Sequence, residues 1–76
     1  MDKDLMFWLL KNEIEIIVSQ KHTTEVKDNK IFIAFKSEKS ALKGYDTLRC
    51  RYNNSTMWEL KWSVKRNGLT VIIEYK

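Results

Sequence analysis

His22 is the only histidine of the chain and Cys50 the only cysteine, and cations stand beside both: Lys21 next to the first, Arg49 and Arg51 around the second. A small ribonuclease needs one general acid or base and a few cations about the scissile phosphate, which His22 with Lys21, Arg49 and Arg51 could furnish. The plainer role for His22 is to open a strand, packed beside Phe35 or hydrogen-bonded locally. Cys50 reads as an inert thiol unless Arg49 and Arg51 draw its pKa down. No cysteine or histidine spacing matches a zinc, haem or thiol-redox motif, and neither Gly44 nor Gly68 stands in a phosphate-binding loop. The expectation is a protein that is not an enzyme, carries no metal or cofactor, and acts by binding.

Two kinds of target follow from the remaining residues. Lys36, Lys39, Lys43, Arg49 and Arg51 on or beside one predicted helix, with Lys61, Lys65, Arg66 and Lys76 on the last hairpin, are candidate phosphate contacts of a nucleic-acid-binding protein. Against that, Trp58, Trp62 and Tyr75 fall on the apolar face of the hairpin, where aromatic rings build core rather than stack on bases. The leading reading is therefore a protein partner. Trp8 on the polar side of the first helix, with Phe32 and Ile72 on the outer face of a sheet, are large apolar groups that the fold has no use for. Such groups anchor interfaces, although they also scatter over ordinary surfaces or join two copies in a homodimer. An acidic or nucleic-acid-handling partner suits the basic surface. A short chain rich in lysine and asparagine, without catalytic equipment, also fits the general type of viral or mobile-element inhibitors of host machines, an analogy of type alone.

The elements that must position these residues are bounded by length. The 76 residues allow one domain and one core. A 43% apolar and 32% charged composition is that of a folded globular chain, not a disordered one. One cysteine cannot form an internal disulfide, which points to a reducing, cytoplasmic setting. The run Leu5–Leu10 is too short to span a bilayer, and Asp2 and Asp4 stand where a secretory signal carries positive charge, so no membrane or targeting segment is expected. The net charge of +4 is uneven. Residues 1–20 hold two basic against four acidic side chains, and residues 21–76 hold 12 against 6.

Periodicity places the residues. Trp58, Leu60, Trp62 and Val64 alternate with polar residues, and Leu69, Val71, Ile73 and Tyr75 answer them across Asn67-Gly68, a strong type I′ hairpin signal. A two-residue turn there pairs Arg66 with Leu69, Val64 with Val71, Trp62 with Ile73, Leu60 with Tyr75, Lys61 with Glu74 and Glu59 with Lys76. Upstream, Ser37 caps a helix running to Tyr52 whose apolar stripe is Ala41, Leu42, Tyr45, Leu48 and Tyr52. Gly44 inside it costs roughly 1 kcal/mol against alanine. Asn53 to Thr56 is a polar loop. A second hairpin pairs strands at 23–26 and 31–35 through Asp28-Asn29, setting Val26 opposite Ile31, Thr24 opposite Ile33 and His22 opposite Phe35.

The first twenty residues admit two readings. From Lys3 to Ser19 a helix gathers Lys11, Asn12, Glu15 and Ser19 into a polar arc containing Trp8, opposite Met6, Phe7, Leu10, Ile14, Ile17 and Val18. The rival is a helix ending near Asn12 and a fifth strand at 13–19, where Glu13-Ile14-Glu15-Ile16 alternates. The helix is the favoured one. The fold class is then α+β in two layers, in the order α-β-β-α-β-β, with a four-stranded antiparallel sheet and both helices on one face.

Overall fold

A computed structural model describes residues 3–52 and 62–75. The chain runs α1 (Lys3–Ile17), β1 (His22–Lys27), β2 (Lys30–Phe35), α2 (Glu38–Tyr52), β3 (Trp62–Asn67), β4 (Thr70–Tyr75). The strands form one antiparallel sheet in the order β1-β2-β4-β3. This is the α+β arrangement expected from periodicity, and a strand at 13–19 is overturned because residues 13 to 17 lie within α1. The alternation there misleads for a simple reason. Ile14 is fully buried while Ile16 is among the most exposed apolar residues, since two residues along a helix are turned by about 200°.

Helix α2 starts where its cap predicts. Ser37 Oγ accepts the backbone N–H of Ser40 at 3.2 Å, satisfying one of the free amides of the first turn. Ala41, Gly44, Leu48 and Tyr52 face inward from it. Leu42, placed in the stripe by spacing, is instead exposed. The inward arc is narrower than expected because the backbone of α2 comes down close to Phe35 at Gly44.

The first hairpin has the expected register, with His22 opposite Phe35, Thr24 opposite Ile33 and Val26 opposite Ile31. Asp28 and Asn29 both take positive φ, 52° and 63°, as a type I′ turn requires. The second hairpin is shifted by two residues from expectation. Asn67 pairs with Thr70, Val64 with Ile73 and Trp62 with Tyr75, and Glu74 stands opposite Ser63 rather than Lys61. Trp58, Glu59, Leu60, Lys61 and Lys76, and the loop at 53–56, lie outside the described residues. The turn is Gly68-Leu69, with Gly68 at φ 63° and Leu69 in the ordinary negative range, so glycine takes the first central position as in a type II′ turn. A shift of two preserves face parity. Trp62, Val64, Val71 and Ile73 therefore remain buried together, and burial alone does not discriminate between the two registers.

The core lies between the sheet and the helices. Ile14 and Leu48 from the helices meet Ile31, Ile33, Val71 and Ile73 from the two central strands, all fully buried. Phe7 of α1 meets Trp62 of β3 edge to face, with ring centroids 5.5 Å apart. The chain is thus two α-β-β units side by side. Phe32 and Ile72 are each third in a strand of six and pair with each other, so the two hairpins meet about a local two-fold.

Candidate interaction surface

Helix α1 has two apolar faces. Met6, Phe7, Leu10, Ile14 and, just past its end, Val18 are buried, as spacing predicts. On the opposite side Leu5, Trp8, Leu9 and Ile16 recur at helical spacing and are 48%, 59%, 45% and 82% exposed. Asn12 completes that outer face, exposed between Leu9 and Ile16. Trp8 was visible in the sequence as an aromatic in a polar arc. Leu5, Leu9 and Ile16 were not, although their spacing with Asn12 marks a stripe of its own.

Two acidic side chains of α1, Glu13 and Glu15, are engaged within the chain, while Asp4 stands exposed in the first turn beside Leu5. Glu13 Oε1 accepts hydrogen bonds from Arg51 Nε at 2.9 Å and Tyr52 Oη at 2.8 Å, tying α1 to α2. Burial, then the bond to Glu13, raises the pKa of Tyr52, and the bond and charge of Glu13 raise that of Arg51. Glu15 Oε1 accepts from Thr24 Oγ1 at 2.8 Å on β1 and lies 3.3 Å from His22 Nε2. Each carboxylate stitches one flank of α1 to the rest of the molecule, leaving the outer face without a carboxylate from either.

The second α-β-β unit supplies a comparison. Aligning the buried positions Phe7, Leu10 and Ile14 with Ala41, Gly44 and Leu48 puts Lys39, Leu42, Lys43, Asp46 and Cys50 of α2 where α1 has Leu5, Trp8, Leu9, Asn12 and Ile16. The outer face of α2 is thus charged at three of these five positions, with an exposed Leu42 where α1 carries Trp8. The fold therefore does not require apolar residues at the positions of Leu5 and Leu9.

The other candidate interface residues lie elsewhere. Phe32 and Ile72 are neighbours on the two central strands of the open sheet face, flanked across the sheet by Glu25 and Lys65, and both are half-buried. They form a small apolar spot on the layer facing away from the helices, so the structure does not bring them to Trp8.

The basic residues divide as well. Lys36, Lys39 and Lys43 are exposed and form no ion pair among the described residues. Arg49 is held by Asp46 at 2.8 Å, a hydrogen bond that raises its pKa, and lies 5.9 Å from the centroid of the Tyr45 ring. Arg51 is committed to Glu13. Arg66 donates from Nη1 to Gly68 O at 2.9 Å, bracing the turn. Lys65 is exposed on the open face of edge strand β3, and Lys61 lies outside the described residues.

The ribonuclease constellation is not assembled. His22 is enclosed, its side chain 6% exposed, with Nδ1 donating to Gln20 O at 2.6 Å and its ring 5.8 Å from that of Phe35. It faces one flank of α1 through Glu15, while Arg51 takes the other through Glu13. A cleft of about 300 Å³ bounded by Lys21, His22, Thr23, Ala34, Phe35 and Lys36 lies alongside. Its size is at the bottom of the range for small-molecule sites. Cys50 is an exposed thiol on the outer side of α2. Among the described residues no three His, Cys, Asp or Glu side chains gather to hold a metal ion, and no helix is long and apolar enough to cross a membrane. No protein-family model, curated protein or solved structure matches the chain.

Proposed function

We propose that the protein is a non-enzymatic binding protein that engages another protein through the outer face of α1, with Trp8 as its anchor. The observation that carries this reading is the contiguous stripe of Leu5, Trp8, Leu9 and Ile16 on a helix whose inner face is already fully used in the core. Apolar side chains left in water gain roughly 25 cal/mol for each Å² a partner covers, and buried tryptophans are the commonest interface hot spots. Glu13 and Glu15 tie the C-terminal half of the helix to α2 and β1 on either flank of the stripe.

A second reading, nucleic-acid binding, draws on Lys36, Lys39 and Lys43, a row that forms no ion pair among the described residues, beginning just before α2 and running along it. The two readings differ in what supplies the energy. Phosphate contacts weaken steeply with salt, and an apolar anchor does so far less. Affinity capture with the wild-type chain, with and without nuclease, tests them together. The protein reading expects the same protein in both arms and its loss with Ile16→Glu. Recovery that disappears on nuclease treatment and survives Ile16→Glu contradicts it.

A further inference from the structure

We infer that the occupant of the outer face of α1 is the same face of a second copy of this chain, an inference that rests on reading that face as an interface. Charge selects this partner. A two-fold contact sets each patch against itself, so a patch carrying charge of one sign repels its mate. The chain as a whole is at +4. The corresponding face of α2, with Lys39 and Lys43, would meet itself with like charges apposed. The stripe of α1 carries Leu5, Trp8, Leu9, Asn12 and Ile16, none of them charged; of the carboxylates that border it, Glu13 and Glu15 are engaged within their own chain, and Asp4 stands at its first turn. The lysine row Lys36, Lys39 and Lys43 lies beside and along α2, so copies meeting through α1 need not appose it.

Area and chemistry agree with a self-contact of modest strength. The four exposed side chains offer on the order of 400 Å² of apolar surface, within the range of the largest apolar patch on a monomer, which is often functional. Two such patches with their rims bury about 1,000 Å², the lower bound for a specific association and far below an obligate dimer. An area of this size fits a weak, reversible pairing of monomers that fold alone. Asn12 gives the pair a polar group inside the apolar contact, where one amide can fix the register of two helices.

A photoreactive p-benzoylphenylalanine at position 9, an exposed site that the core does not use, tests this in host cells. Irradiation is expected to give an adduct of twice the 9.1 kDa chain mass, and the same group at position 42 on α2 none. An adduct of position 9 with a different protein overturns the second-copy assignment and retains the face as an interface. Absence of any intermolecular adduct, or equal yield from position 42, overturns both. Sedimentation of the purified protein is the second arm: a monomer–dimer equilibrium weakened at least tenfold by Ile16→Glu supports the pairing, and a wild-type chain still monomeric at about 0.1 mM overturns it.

Discussion

Gly44 of α2 lies against the ring of Phe35 so closely that a Cβ added to it would stand 2.7 Å from Cε1 and nearer still to Cζ. Phe35 is itself buried, and although its ring borders the cleft beside His22, clearing a contact this short would carry the whole ring off its packing. On helix propensity alone Gly44→Ala would stabilise by roughly 1 kcal/mol. The close approach reverses the sign, because overpacking a core costs about 1 to 3 kcal/mol. Gly44→Ala is expected to lower the melting temperature by several degrees, and adding Phe35→Leu to recover part of the loss. A more stable Gly44→Ala variant would mean that α2 does not sit this close to the sheet.

Trp62 fills the end of the core beneath α1, 3% exposed and edge-on to Phe7. Its truncation removes the largest side chain of β3 and leaves a cavity that Phe7 cannot fill. Trp62→Ala should cost about 3 to 5 kcal/mol in urea unfolding, a large part of the stability of so small a domain. A loss below about 1 kcal/mol would place the hairpin face wrongly.

Burial and the hydrogen bond to Glu13 raise the pKa of Tyr52 above its unfolded value near 10. The folded state therefore favours the neutral phenol. Its contribution is complete below about pH 10 and is lost as pH rises through the folded pKa, because the unfolded chain releases its proton first. Urea midpoints measured from about pH 9 to about pH 11 should fall more steeply for the wild type than for Tyr52→Phe. Parallel slopes would show that the phenol is not enclosed beside Glu13.

Any affinity for a duplex oligonucleotide is expected to depend on Lys36, Lys39 and Lys43, since Arg51 is occupied by Glu13. Replacing the three lysines with glutamate should flatten the log–log salt dependence by about 2 to 3. Arg51→Gln should instead lower the melting temperature and leave the salt slope unchanged. The opposite pattern would make Arg51 a phosphate contact and the lysine row a bystander.

What could be read from the chain was what local spacing determines. The turn at Asp28-Asn29, the cap at Ser37 and the inward face of α1 depend on neighbours within a few residues, and each was legible. The exact pairing of the last hairpin was not, because a slip of two leaves every side chain on its own face and only the turn distinguishes the two pairings. The closeness of Gly44 to Phe35 and the bond from Arg51 to Glu13, 38 residues apart, come from packing between elements that no local pattern encodes. The interaction surface was half legible. Trp8 stood out by type, whereas Leu5, Leu9 and Ile16 were assigned to neither side of the helix, and their exposure shows only once the opposite face of α1 is seen to fill the core.

On the proposed reading Trp8 belongs to an interface and not to the fold. With more than half of its surface in solvent, its removal forfeits little packing within the chain. The deciding measurement is thermal melting and binding on one variant, Trp8→Ala, with association followed by sedimentation and by capture of partners. The melting temperature should stay within a few degrees of the wild type, while affinity falls by about 2 kcal/mol, roughly thirtyfold. Collapse of the fold would make Trp8 a structural residue, and an unchanged melt with unchanged association and capture would make it an ordinary exposed one; either result overturns its assignment to an interface.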